Sequence, residues 1–169
     1  QKSASWYRNA VSLIADRSSP SELFASGKLL GRPSAGRMSM FFYDPKFKQR
    51  LPYYDTFPLV LPLEPMKGGF IGLNFHYLPY GARFAFLQQL QRYSSNAKFD
   101  QSTKIQASYN AIKGNKYTKA SIKRYLYSHV RSQFLRVNVN EMALAAYLPV
   151  AQFQGATLGQ VFARSRKTF

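Results

Sequence analysis

The run from Gly36 to Pro79 constrains the fold more than any other part of the chain. Aromatic and aliphatic residues alternate there with Pro45, Pro52, Pro58, Pro62, Pro65 and Pro79 and with the pair Gly68-Gly69. A helix cannot run through prolines at this spacing, because each removes a backbone donor and its ring collides with the preceding turn. Short extended segments are what remains. Met38–Tyr43, Phe57–Leu63 and Phe70–Tyr77 read as three strands, with turns at Asp44-Pro45 and Gly68-Gly69 and a stop at Pro79. Pro58 and Pro62 cannot donate to a ladder, so the second strand is expected at a sheet edge or around a bulge. A strongly bent antiparallel sheet follows, packed by Tyr53, Tyr54, Phe57, Phe70, Phe75 and Tyr77. Nothing in the run suggests a catalytic pocket.

The flanks read differently. Residues 2–15 space Trp6, Ala10, Leu13 and Ile14 as a helix would. Ser19, Pro20 and Glu22 form a capping-box start for a second short helix that ends at Gly27. Residues 1–35 are therefore expected to be an N-terminal helical arm, with Trp6 and Tyr7 as partner contacts, and residues 36–169 a single α+β domain. Within that domain, residues 81–93 predict a helix with Phe84, Leu87 and Leu90 on its apolar face, Phe86 at the margin, and Arg83 and Arg92 toward the polar side. Residues 103–112 read as a further short helix. Residues 118–128 read as a helix exposing Lys119, Lys123 and Arg124. Phe134–Val139 predicts a strand, Met142–Val150 another apolar run, and Thr157–Lys167 a terminal helix. The expected fold class is α+β: a small bent antiparallel sheet or partial β-barrel, drawn from residues 36–78 and 134–150, with surrounding helices.

Charge supplies the strongest functional signal. Lysine and arginine number 24 against 7 acids, a net of +17 over 169 residues. Glu141 is the single acid after residue 100, opposed by eleven basic side chains. Self-repulsion on that scale opposes compaction and calls for a polyanion or an acidic protein partner. The absence of cysteine excludes disulfides and thiolate metal sites and suits a reducing compartment. No apolar stretch is long enough for a membrane-spanning helix, and Gln1–Ala15 does not read as a signal peptide.

The residues that could carry catalysis are few. His76 and His129 fall in no metal-binding spacing, and His76 reads as a hydrogen-bonded structural residue. Asp44, Asp55 and Glu64 are the one carboxylate set that could form a metal site, yet each lies close to a proline, where turn capping is the simpler account for the two aspartates. There is no phosphate-binding glycine loop, and Gly155–Gly159 reads as a turn. No catalytic residue, cofactor or metal is expected. Residues 113–136 interleave cations with tyrosine and phenylalanine, the chemistry that neutralises phosphates and stacks on exposed bases. Tyr125 and Phe134 within it read equally well as core residues. Lys119, Lys123, Arg124, Arg131, Arg164, Arg166 and Lys167 are the expected DNA-phosphate contacts.

Longer motifs add a resemblance. The run YDPKFKQRLPYYDTFPLVLPLE (Tyr43–Glu64) is followed by GGFIGLNFHYLP (Gly68–Pro79), IKRYLYSHVRSQFLRV (Ile122–Val137), AAYLPVAQF (Ala145–Phe153) and VFARSRK (Val161–Lys167). Together they resemble the DNA end-protector family of virion structural proteins from large contractile-tailed bacteriophages, from about Gly36 onward, with no part carried by residues 1–35. The resemblance implies a virion protein, assembled in the host cytoplasm, that shields the ends of packaged double-stranded DNA from exonuclease. The alternative it leaves open is a neck, tail or baseplate component, an oligomer within a symmetric particle that acts through contacts with other virion proteins.

Overall fold

The hairpin made by β4 (Leu59–Met66) and β5 (Gly69–Asn74) forms the centre of the sheet. Leu61 pairs with Leu73 and Met66 with Gly69. The chain reverses through Lys67-Gly68, where Gly68 takes φ +76, a conformation open to glycine and costly for other residues. Pairing skips from Pro62–Gly72 to Glu64–Ile71, so Leu63 is the extra residue of a bulge. Of the two ways expected for the strand to accommodate its prolines, the bulge holds and the edge position does not. β4 lies inside the sheet, and its other neighbour β2 (Ser39–Met40) stops pairing at Val60, two residues before Pro62.

The computed structural model describes residues 28–33, 37–94, 119–137, 145–146 and 150–167; Trp6, Tyr7, the two helices expected in residues 2–26 and the segment 103–112 lie outside them. Among the described residues the sheet has six antiparallel strands in the order β1-β7-β2-β4-β5-β6. The outer members are β1 (Lys28–Leu30) and β6 (Ile122–Leu126), and β7 (Phe134–Arg136) pairs with both β1 and β2. A second sheet pairs β3 (Tyr54–Asp55) with β8 (Phe153–Gln154). The large sheet curls without closing. A bridge from Tyr43 to Val130 and the bonds Arg131 N–H to Phe42 O (2.9 Å) and Asp44 N–H to His129 O (3.0 Å) tie the extension of β2 to the β6–β7 connection.

Curling leaves two apolar faces. Phe41, Tyr43, Val60, Phe70, Tyr125 and Phe134 fill one. Phe41 is its hub, with ring centres of Phe134 at 4.7 Å, Tyr125 at 5.4 Å and Phe70 at 6.0 Å, the tilted and edge-on arrangements that aromatic quadrupoles favour. The other face buries Met40, Leu59, Leu61, Leu73 and Phe75 against Phe86 and Leu87 of α1 (Tyr80–Ser94). α2 (Leu158–Lys167) starts with a reciprocal cap: the Gln160 N–H donates to Thr157 Oγ1 at 3.2 Å, and the Thr157 N–H donates to Gln160 Oε1 at 2.9 Å.

Four expectations need correcting. Residues 118–128 do not form one helix; a 3-10 turn (Lys119–Ser121) leads into β6, and another (Tyr127–His129) follows it. Ile122 opposite Leu73 and Tyr125 opposite Phe70 extend both apolar faces of β5, and that cross-strand burial outweighs a weak helical pattern. The sheet also draws strands from residues 28–30 and 122–126, beyond the segments expected to supply it. Finally, Arg83 does not sit toward solvent. It is 1% exposed and donates from Nε to Leu78 O (2.7 Å), from Nη1 to Ala146 O (2.8 Å) and from Nη2 to His76 O (3.0 Å). Phe86, placed at the margin by spacing, is fully buried.

Candidate nucleic-acid interface

Beyond Tyr43 the chain leaves the sheet, turns at Asp44-Pro45 and returns through a 3-10 turn (Lys48–Arg50) to β3. This turn satisfies its own backbone: Lys48 N–H donates to Pro45 O, Arg50 N–H to Phe47 O, and Leu51 N–H to Lys48 O. Its apolar side chains are left without a core to enter. Phe47 is 56% exposed and Leu51 42%, and Phe47 is the one large aromatic side chain so exposed among the described residues. The ammonium of Lys46 lies 5.3 Å and the guanidinium of Arg50 5.7 Å from the Phe47 ring centre.

Asp44 braces the base of this loop. Its Oδ1 accepts from Lys48 Nζ at 2.9 Å, and its Oδ2 lies 3.7 Å from Arg131. The Lys48 hydrogen bond holds the Asp44 carboxyl below its usual pKa. The backbone joins in, since the Asp44 N–H donates to His129 O and the Asp44 carbonyl accepts from His129 Nδ1 at 2.9 Å. Arg131 also donates to Ser128 O at 2.7 Å. The loop is therefore a short, tied projection.

Between this loop and β6 lies a pocket of about 100 Å³, lined by Tyr43, Tyr53, Tyr54, Tyr77 and Tyr125 with Pro45, Leu51, Lys123 and Arg124. Lys123 is half-buried, its ammonium 4.4 Å from the Tyr77 ring centre, and burial pulls its pKa down. Burial raises the pKa of Tyr77 and Tyr125, keeping both hydroxyls protonated. Arg124, its neighbour on β6, is exposed and lines the same pocket. Arg164 of α2 lies 5.2 Å from the ring centre of Tyr53, so α2 adds a cation to the same rim.

Asp55 and Asn74 form the pocket floor. Asp55 accepts from the Phe57 N–H (2.9 Å), the Gln152 N–H (3.2 Å), Asn74 Nδ2 (3.1 Å) and His76 Nδ1 (2.7 Å). A carboxylate can only accept, so Nδ1 carries the ring proton. Burial would raise the Asp55 pKa, but the His76 ring and these donors outweigh it and hold the carboxyl low. Burial pushes His76 down against the opposing pull of Asp55. Asp55 is thus a tie among β3, β5 and the approach to β8. The three carboxylates weighed as a metal site do not converge: Asp44 is engaged with Lys48, Asp55 is buried with His76, and Glu64 is exposed on β4. Among the described residues no three acids or histidines could hold a metal ion.

Of the residues expected to contact phosphate, Lys123, Arg124, Arg131 and Arg164 gather around the loop and pocket. Lys119 lies in the 3-10 turn before β6 and Arg166 and Lys167 in the last turn of α2; their side chains, with Trp6 and Tyr7, lie outside the described residues. Sequence reasoning missed Lys46, Phe47 and Arg50. Their signal was present in PKFKQRLP, where an aromatic residue flanked by cations sits between turn-forming prolines with no partner strand for it to pack on. A second, more open depression of about 370 Å³ is lined by Leu30, Arg37, Ser39 and Arg136.

Fold and surface together define a small α+β protein that sets several cations beside aromatic rings around one pocket. A family model described as the phage T4 terminal DNA protecting protein matches residues 1–167, and the chain belongs to that family. The match takes in residues 1–35, to which the motif resemblance did not reach. No curated protein and no solved structure matches the chain.

Proposed function

We propose that this protein binds the end of the packaged phage genome in the virion and blocks exonuclease there, without chemistry of its own. Membership of the terminal DNA protecting family over nearly the whole chain carries the reading. The physical support is the grouping of Lys123, Arg124, Arg131 and Arg164 with Lys46 and Arg50 around exposed and half-buried rings, where phosphates can be neutralised and bases contacted together. Lys119, Arg166 and Lys167 are assigned to the same phosphate contacts. Trp6 and Tyr7 are assigned to neighbouring virion proteins. The test compares binding to a linear duplex and to a covalently closed duplex of equal length across a salt series, with exonuclease digestion of the linear form in parallel. Preference for the linear form with slowed digestion supports the proposal. Equal binding to both forms reduces it to nonspecific phosphate attraction.

A second reading, a neck, tail or baseplate component acting through protein contacts, is favoured by one observation. β1 is an edge strand that leaves Leu29 36% exposed, a place where a partner strand could add. Absence of DNA binding near physiological salt would select it.

A further inference from the structure

A protein that distinguishes a DNA end from DNA interior must read something that only the end has. Cations on phosphates cannot supply this, since the backbone repeats along the whole duplex. The outer face of the terminal base pair is different. In the interior both faces of every pair are stacked on neighbours, whereas at an end one face is open to water.

Phe47 has the complementary form. Its ring is the exposed aromatic of a projection braced through Asp44 to Lys48, Arg131 and His129, so stacking would cost little further ordering. Lys46 and Arg50 lie over the ring, 5.3 and 5.7 Å from its centre, and a base pair that stacks on it would turn them aside to the two phosphate strands that approach a blunt end. Leu51, also exposed, widens the apolar tip. The cations around it disfavour a basic or purely apolar partner and favour a polyanion with a flat apolar surface, and a duplex end combines those two properties.

We infer that Phe47 stacks on the exposed terminal base pair of duplex DNA while Lys46 and Arg50 engage the flanking phosphates. This rests on the end-binding reading and assigns its specificity to one side chain.

The experiment measures affinity of the full chain and of Phe47→Ala and Phe47→Trp for a short linear duplex and for a dumbbell of equal length whose ends are closed by loops. A 2-aminopurine placed in the terminal base pair of the linear duplex reports stacking directly. The native chain should prefer the linear duplex and quench the terminal probe. Phe47→Ala should lower linear-duplex affinity by about tenfold, in keeping with loss of one base–aromatic stack, while leaving dumbbell affinity unchanged and abolishing the quench. Phe47→Trp should retain both. Phe47 is exposed and supports no core, so neither substitution should disturb the fold. A native chain that prefers the linear duplex while Phe47→Ala behaves identically would overturn the stacking assignment and leave end binding standing. A native chain that binds both forms equally would overturn end binding itself.

Discussion

The ammonium of Lys123 lies 4.4 Å from the centre of the Tyr77 ring, half-buried in a pocket walled by tyrosines. Burial disfavours its charge, as its lowered pKa records. A charge kept in that position at a cost to the fold is what the proposed phosphate contact would require. Lys123→Met, which keeps the stem and removes the charge, should raise the urea midpoint of unfolding while weakening DNA binding. A fall in both would mean that the ammonium holds the fold together.

The salt dependence of DNA binding should count the contacts. Each phosphate contact removed lowers the slope of log affinity against log salt by about 0.9. Arg124→Gln, Arg131→Gln and Arg164→Gln should each take about one such step. Asp44→Asn should act in the opposite sense, because it removes the carboxylate that now occupies Lys48 and Arg131. Binding titrations at several salt concentrations would show whether it tightens binding as expected.

Acidification should destabilise the protein in two stages. His76 has its pKa lowered by burial, so below its unfolded value of about 6.5 the unfolded chain takes up the proton first. Stability is therefore full above that pH and falls as the pH drops below it. The Asp55 pKa is lowered as well, and its contribution disappears as the pH falls below the ordinary aspartate value of about 4. Urea midpoints taken from pH 8 to pH 3 would trace both stages. His76→Gln should flatten the first and, by removing the ring that helps to hold the Asp55 carboxyl low, weaken the second.

Arg83 should prove structural. Truncation to alanine leaves the carbonyls of Leu78, Ala146 and His76 without their guanidinium donor in a buried site, and each stranded acceptor costs about 1–3 kcal/mol. A loss of about 3 kcal/mol or more in chemical denaturation is expected, with DNA binding by the folded fraction unchanged. Unchanged stability would show that water replaces the guanidinium.

In the opposite core, Phe41→Ala removes the ring that contacts Phe70, Tyr125 and Phe134. The expected cost is about 3–5 kcal/mol, read from thermal or urea unfolding.

Much of the architecture was legible from chemistry that acts locally. Prolines exclude a long helix, so the strands that became Ser39–Met40, Leu59–Met66 and Gly69–Asn74 could be read directly, with an edge or a bulge left as the alternatives around Pro62. The 3-10 turn Phe75–Tyr77, read as the end of the last strand, could not. Thr157 and Gln160 announce the start of α2 by their spacing. Where the structure departed from expectation, a distant partner decided. Residues 122–126 carry a pattern that serves either a helix or a strand, and the free edge of β5 selected the strand. Arg83 looks like a solvent-facing cation on its own helix; the carbonyls of His76, Leu78 and Ala146 converge there because three separate segments meet.

The candidate interface divides in the same way. Composition by itself determined a large positive charge that favours a negative partner, because charge sums over the molecule whatever its shape. It could not say which cations act together. Lys123 and Arg124 are adjacent in sequence yet differ in burial, while Arg131, Arg164 and the Phe47 loop are far apart in sequence and border one region. That grouping belongs to the tertiary structure alone, since sheet curling and the Asp55 tie are long-range contacts whose partners no local pattern encodes.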